Sequence, residues 1–193
     1  IASETDGRIM RWNFGVGSKA EYFQAHQEGV TAMAISPDGR TLATGAGYSE
    51  TDIKLWEVPS FHLLGVLTNH QDWISDLKFS PDGQTLASSS ADQTIRLWDP
   101  VTMAEMGVLR GHRHEVRRIC FSADGRKLFS GARDGTIYRW PAQAPADRTS
   151  FEATQTELAD VALTPDATQL AGLWQGGVCL GNTRSGQLPC PIA

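Results

Sequence analysis

Tryptophan recurs in this chain at an almost constant interval. Trp12, Trp56, Trp98 and Trp140 are separated by 44, 42 and 42 residues, and each ends a short run of alternating apolar residues. A fixed period of roughly 40 to 45 residues indicates an array of one repeated unit that cannot bury its apolar faces without neighbours. The sequence therefore predicts a repeat architecture, which is more often a binding platform than an enzyme.

A four-residue turn motif recurs with the same period. It reads Ser-Pro-Asp-Gly at 36–39 and 80–83, Ser-Ala-Asp-Gly at 122–125, and Thr-Pro-Asp-Ala at 164–167. Pro fixes the first central φ of such a turn, Asp bonds the local backbone, and Gly accepts a positive φ. Short β-branched and apolar runs flank each turn, and further runs end at the Trp and follow it, so each unit is predicted to hold up to four strands.

These motifs together resemble the WD-repeat β-propellers, in which each blade is a four-stranded antiparallel sheet. The best-matched stretch runs from Gly111-His112 to Trp140, and Leu97-Trp98-Asp99 contains the one intact Trp-Asp pair. The resemblance covers essentially the whole chain and implies an all-β fold. It places a partial repeat at 1–26, repeats at 27–69, 70–111 and 112–153, and a degenerate last repeat at 154–193.

About four and a half units fit into 193 residues, whereas propellers commonly close with four to eight blades. Residues 1–3 match residues 86–88, so the chain is expected to open in the middle of a unit. The last outer strand would fall on 187–192, where two prolines disfavour a regular strand. We expect a part of a larger ring, with a separate five-bladed ring as the alternative.

Arg outnumbers Lys by 13 to 4, which points to a bacterial member.

A His, a hydroxyl residue and usually an Asp recur with the Trp in three units. The sets are His70, Ser88, Asp92 and Trp98; His112, Ser130, Asp134 and Trp140; and, less completely, His26, Thr44 and Trp56. Ser, His and Asp together could form the nucleophilic triad of a hydrolase, but this interpretation is rejected because an enzyme needs only one such site. Repetition once per unit, always with an indole donor, favours a structural role. The resemblance implies a buried chain of hydrogen bonds from indole to hydroxyl, imidazole and carboxylate.

Two units depart from this pattern. The first full unit has an insertion at 47–52 that puts Glu50 where Asp is expected and displaces Asp52, so this corner is expected to be rebuilt. In the last unit Thr154 replaces the His, Gly172 the Ser and Gly181 the Trp. That unit is predicted to lack the polar set and to be the weakest of the array.

Partner contacts are expected at the rim of the central channel, because loops on a rigid scaffold carry function. The candidates are Trp73, His114, Glu115 and Arg133, of which Trp73 is the expected anchor because aromatic residues dominate interface energetics. The alternative interpretations are that Trp73 covers a neighbouring loop and that the polar candidates are ordinary solvated surface.

Composition limits the remaining possibilities. Forty per cent apolar and 20% charged residues suit a soluble globular protein, and no apolar run reaches the roughly 20 residues that span a bilayer. Cys120, Cys179 and Cys190 lack metal-like spacing and favour a reducing, cytoplasmic setting. Residues 110–140 carry a net charge of +5 in a chain of net −5, yet strand alternation would divide these cations between faces, so nucleic-acid binding is not expected.

The sequence therefore predicts a non-catalytic scaffold that presents a rigid rim to a protein or peptide, or to the remaining blades of a larger chain. It predicts no cofactor, no bound metal and no membrane contact. One alternative is a sensor or regulatory domain of a larger bacterial kinase, protease or ATPase. A second is a propeller enzyme whose active site lies in blades outside this sequence.

Overall fold

The structure is a computed structural model, and it is an all-β array. It describes residues 2–3, 6–11, 20–47, 49–142, 149–151, 158–174 and 177–183. These residues form 18 strands and, within the described part of the chain, no helix. The predicted fold class is therefore confirmed. The described part also contains no helix long and apolar enough to cross a membrane.

The strands form five antiparallel sheets, each made of strands that follow one another in sequence. Sheet 1 holds β1 (Ala2–Ser3), β2 (Arg8–Arg11) and β3 (Glu21–Gln24); sheet 2 holds β4 (Val30–Ile35), β5 (Thr41–Ala46), β6 (Ile53–Glu57) and β7 (Leu63–Leu67); sheet 3 holds β8 (Ile74–Phe79), β9 (Leu86–Ser90), β10 (Thr94–Trp98) and β11 (Glu105–Arg110); sheet 4 holds β12 (Val116–Phe121), β13 (Lys127–Ala132), β14 (Ile137–Pro141) and β15 (Thr149–Phe151); and sheet 5 holds β16 (Asp160–Leu163), β17 (Gln169–Trp174) and β18 (Gly177–Asn182).

The predicted turns connect the first two strands of each of sheets 2 to 5. In sheet 2 the Gly39 N–H donates to the Ser36 carbonyl at 2.9 Å, and in sheet 3 the Gly83 N–H donates to the Ser80 carbonyl at the same distance. Gly39 and Gly83 have φ values of 72° and 73°, a region that Gly enters without steric cost. The Asp of each motif accepts the Ser hydroxyl and a backbone N–H, which fixes the turn.

The first strands of sheets 2 to 5 lie side by side, with β4 against β8, β8 against β12 and β12 against β16. These strands belong to different sheets, and hydrogen bonds from side chains connect them. The Thr31 hydroxyl donates to the Ile74 carbonyl at 2.6 Å, and the Ser75 hydroxyl donates to the Val116 carbonyl. Asp76 Oδ2 accepts the Ile119 N–H at 3.1 Å. These first strands, which we call the innermost strands, thus form a continuous row across sheets 2 to 5.

The apolar core lies between successive sheets, so neighbouring sheets share it. Trp98 of sheet 3 is 2% exposed and packs with Leu55 and Leu67 of sheet 2 as well as Leu86 of its own sheet. Gly45 on β5 allows Ile74 of the next sheet to approach, because a Cβ at Gly45 would lie 2.6 Å from Ile74 Cγ2. A sheet therefore completes its burial only when a neighbour is present.

Sheet 5 retains a buried indole that the sequence analysis missed. Leu170 pairs with Gly181 as Leu128 pairs with Trp140, so Gly181 does stand at the Trp position. The indole of Trp174, on β17, occupies the space beside Gly172, where an added Cβ would lie 2.1 Å from Trp174 Cη2. Trp174 is 2% exposed, and its Nε1 has no hydrogen-bond partner in the described part of the chain. Thr154 and Trp12 lie outside the described residues.

The cysteines differ in state. Burial raises the pKa of the Cys120 thiol, on β12, to about 12, and the nearby Asp76 carboxylate adds to this effect. Cys179 is disulfide-bonded. A cytoplasmic location stays a prediction.

Candidate interaction surface

The set of sheet 3 forms a continuous buried chain of hydrogen bonds. The Trp98 indole N–H donates to Ser88 Oγ at 2.8 Å, and Ser88 Oγ lies 2.8 Å from His70 Nε2. His70 Nδ1 lies 2.7 Å from Asp92 Oδ2. Because an ionised carboxylate can only accept, His70 Nδ1 carries the proton of the bond to Asp92. The chain joins β9, β10, the corner before β10 and the loop before β8.

Asp92 is held in its ionised form by this arrangement. Burial acts to raise the pKa of its carboxyl, but hydrogen bonds from His70, Thr94 and the Gln71 N–H, with the charge of His70, act in the opposite direction. The net result is a pKa well below the usual range of an aspartate. Asp92 therefore remains a full acceptor for the imidazole across the ordinary pH range.

The set of sheet 2 is closed by Glu50. The Trp56 indole donates to Thr44 Oγ1 at 2.9 Å, Thr44 Oγ1 lies 2.8 Å from His26 Nε2, and His26 Nδ1 lies 2.8 Å from Glu50 Oε2. Glu50 Oε1 also accepts the Gln27 N–H at 3.1 Å, which anchors the rebuilt corner. The set with an incomplete sequence signature is thus a complete chain of hydrogen bonds in the structure.

The set of sheet 4 contains a member that the sequence analysis missed. Trp140 Nε1 donates to Ser130 Oγ at 2.8 Å, which lies 2.7 Å from His112 Nε2. His112 Nδ1 lies 3.1 Å from Thr136 Oγ1, and the Thr136 hydroxyl donates to Asp134 Oδ1 at 2.7 Å. Thr136 thus stands between the imidazole and Asp134. The sequence did contain a signal for Thr136, because a Thr follows the corner Asp by two residues in both units, as Thr94 follows Asp92 and Thr136 follows Asp134.

These three hydroxyls are in no position to attack a substrate. Thr44, Ser88 and Ser130 are each 0% exposed, and each accepts an indole N–H while it contacts an imidazole. A catalytic nucleophile must instead reach a bound substrate. The geometry favours the structural interpretation of the repeated sets over the hydrolase alternative.

The rim candidates lie at the end of the array where the innermost strands begin, which we call the upper end. The Arg133 N–H donates to the Glu115 carbonyl at 2.9 Å, and Arg133 Nη1 donates to Glu115 Oε1 at 2.8 Å. The Ala91 N–H donates to the Trp73 carbonyl at 3.1 Å in the equivalent place of sheet 3. Trp73 is partly exposed and lies outside the buried core clusters, and His114 is exposed.

Comparison with protein families gives three consecutive matches. The model for the WD domain, G-beta repeat, matches residues 17–57, 61–99 and 103–141, which together make up more than half of the chain. The chain belongs to the WD40-repeat family. The resemblance and the fold that it implied are therefore confirmed. No curated protein matches the chain. Its bacterial origin and the repeat boundaries stay predictions.

The basic residues of the third WD40 match are divided among different contacts. Arg117 Nη2 lies 3.5 Å from Glu115 Oε2, and Arg118 Nε lies 3.5 Å from Asp160 Oδ1 of the next sheet. Arg139 donates to the Thr183 carbonyl at 3.0 Å. No cluster of three His, Cys, Asp or Glu that could hold a metal ion occurs among the residues that the structure describes.

Acid is expected to weaken this WD40 fold through His26 before the carboxylates protonate. Burial lowers the pKa of the His26 imidazole below its ordinary 6.5; the Glu50 hydrogen bond opposes this, and the charge of Lys54 adds to it. The unfolded chain therefore binds a proton near pH 6.5 that the folded chain binds only at lower pH. The stabilisation from neutral His26 is fully present above about pH 6.5 and is lost as the pH falls from 6.5 to the lower pKa of the folded state.

Urea unfolding between pH 8 and pH 5 checks this expectation, with His26→Gln as the control. The difference in unfolding free energy between the wild-type chain and His26→Gln should shrink as the pH falls below about 6.5. A difference that stays constant over this range would contradict the role of neutral His26.

Proposed function

We propose that this chain is a non-catalytic scaffold whose upper end binds a protein or peptide through Trp73, His114, Glu115 and Arg133. WD40 repeats generally serve as scaffolds for protein–protein interaction and are typically non-catalytic. The observation that carries the finer assignment is the partly exposed Trp73, an indole outside the core clusters on a loop fixed by its backbone hydrogen bond to Ala91. A residue whose backbone is already fixed loses less conformational entropy when a partner covers its side chain.

The polar neighbours support this assignment. Glu115 binds Arg133 by both backbone and side chain, so both groups are held in fixed positions before any partner arrives. Trp73 directly precedes β8 and Glu115 directly precedes β12, and these two strands are neighbours. An aromatic anchor next to prearranged charged groups combines a source of affinity with a source of orientation.

Trp73→Ala is expected to weaken partner binding by at least about tenfold, since truncation of a central aromatic anchor commonly costs this much. The melting temperature should change little, because Trp73 is not part of a core cluster. The measurement uses peptides enriched on the wild-type chain from a random display library, with each affinity determined by fluorescence anisotropy. Tyr22→Ala, which truncates an exposed aromatic residue on the edge strand β3, is the matched control and should bind these peptides normally.

Two results would contradict the proposal. If the enriched peptides bind Trp73→Ala as tightly as the wild-type chain, the upper end is not the interaction surface. If Trp73→Ala instead lowers the melting temperature substantially, Trp73 is a packing residue that covers a neighbouring loop.

A further inference from the structure

An apolar groove lies at the lower end of the array, where the Ser-Pro-Asp-Gly turns are. It has a volume of about 420 Å³ and runs between the turn of sheet 2 and the 99–104 loop of sheet 3. Its apolar lining includes Pro37, Phe79 and Val101. Val101 is 85% exposed, whereas Met103 in the same loop packs against the core shared by sheets 2 and 3. An aliphatic side chain is thus held out to solvent at the groove.

A second groove of about 510 Å³ adjoins the first and shares Asp82 and Val101 with it. It adds Met106, which is 55% exposed. Together the two grooves form one surface, which we call the lower groove. Its apolar part, which includes Pro37, Phe79 and Val101, can receive an aliphatic side chain.

The rim of the lower groove is acidic. Asp38 and Asp82 line the first part, Asp82 and Asp99 line the second, and no Lys or Arg lines either part within the described residues. Hydrogen bonds from Ser36 and the Arg40 N–H, with the charge of Arg40, lower the pKa of Asp38. Hydrogen bonds from Ser80 and the Gln84 N–H lower the pKa of Asp82, and those from the Thr102 and Val101 N–H groups lower the pKa of Asp99. The three carboxylates are therefore ionised at neutral pH and favour a cationic occupant.

The preceding loop of the same array shows a cation in the corresponding position. Arg11 of sheet 1 donates through Nη1 to the Pro59 carbonyl at 2.7 Å, and its guanidinium lies 4.9 Å from the centroid of the Phe61 ring. Pro59 and Val101 each stand three residues after the Trp of their unit, and Arg11 and Leu55 each stand one residue before it. In sheet 2 the fully buried Leu55 fills the position of Arg11, so Arg11 shows only that a guanidinium can bond a carbonyl of this kind of loop.

We propose that the lower groove binds an extended basic segment of a partner protein, with an aliphatic side chain against Val101 and flanking Arg or Lys side chains beside Asp82 and Asp99. Arg is the better fit because its planar guanidinium can bond a carboxylate bidentately and can also reach a loop carbonyl. An acidic segment or a nucleic-acid backbone is disfavoured because the rim repels negative charge. This site is separate from the upper end.

Short fluorescein-labelled peptides with Arg-Leu-Arg, Glu-Leu-Glu and Arg-Ala-Arg cores between Gly-Ser flanks test the proposal by anisotropy with the 193-residue chain. We expect the Arg-Leu-Arg peptide to bind at least about tenfold more tightly than either of the others, and to bind more weakly as ionic strength rises. Amide resonances of Gly83, Val101 and Thr102 should shift on titration. Val101→Lys should weaken binding at least about tenfold, and Val101→Ile should stay within about twofold of the wild-type chain.

Trp73→Ala should bind the Arg-Leu-Arg peptide normally, which separates the lower groove from the upper end. The proposal is overturned if no peptide binds, if the Glu-Leu-Glu peptide binds as well, or if the shifted resonances lie away from the groove. Retained affinity in Val101→Lys would overturn it too. Because Val101 is exposed, urea unfolding of Val101→Lys should match that of the wild-type chain.

Discussion

Replacing Trp98 by Phe is expected to lower the free energy of unfolding by about 1 to 3 kcal/mol. Phe keeps a ring in the core shared by sheets 2 and 3 but cannot donate to Ser88 Oγ, which lies 2.8 Å from the indole nitrogen. Ser88 is fully buried, so no solvent replaces the lost donor. Urea unfolding of the two chains, followed by circular dichroism, measures the difference.

Trp174→Phe is the matched control because it makes the same change in ring size at a site without the hydrogen bond. Trp174 is 2% exposed, as Trp98 is, but its Nε1 has no partner in the described part of the chain. The loss should therefore be smaller than in Trp98→Phe by the contribution of one buried hydrogen bond, about 1 kcal/mol. Equal losses would show that the buried hydrogen-bond chain adds nothing to stability.

Replacing Gly45 by Ala is expected to cost about 1 to 3 kcal/mol through overpacking between sheets 2 and 3. The added Cβ would lie 2.6 Å from Ile74 Cγ2 and 2.7 Å from Ile74 Cβ. Because the Ile74 Cβ is bonded directly to the backbone, a rotamer change cannot remove the clash, and the two sheets must move apart. The smaller gain in strand propensity from Gly to Ala does not offset this.

Ser89 provides the control for Gly45. It pairs with Asp76 across β8 and β9 as Gly45 pairs with Ala32 across β4 and β5, and it already carries a Cβ. Ser89→Ala loses only the hydroxyl contact with Ser75 Oγ at 2.9 Å, so we expect a cost of about 1 kcal/mol or less. A cost for Gly45→Ala no greater than this would refute the close approach of the two sheets.

The repeat period and the turns were enough to predict the all-β array, because the same strand pattern recurs in each unit. The sequence was less informative where one side chain replaces another of different length or position. Glu50 reaches His26 across a rebuilt corner, and Trp174 supplies from β17 an indole that sheets 2 to 4 take from their third strand. Such exchanges depend on strand register and on the space beside Gly172, which spacing alone does not reveal.

The lower groove was missed for a related reason. Val101 and Met103 are both apolar residues in one short loop, and hydropathy treats them alike. Packing separates them, since Met103 covers the core while Val101 points to solvent. The family resemblance implies partner contacts at the rim of the central channel, so function was predicted only at the upper end. Which loop residue remains uncovered depends on the neighbouring sheet, and this follows only from the assembled structure.

Trp98 belongs to sheet 3 by chain connectivity, but it completes the core of sheet 2 by packing. A single sheet is therefore not a unit that evolution can duplicate or transplant by itself. A duplicated or transplanted repeat arrives with two unlike faces, one that must receive the indole of the following repeat and one that must offer its own indole to the preceding repeat. Recombination can therefore lengthen such an array only where both new junctions reproduce a contact like that of Gly45 with Ile74. Junctions between sheets, more than the sheets themselves, set which repeats can become neighbours.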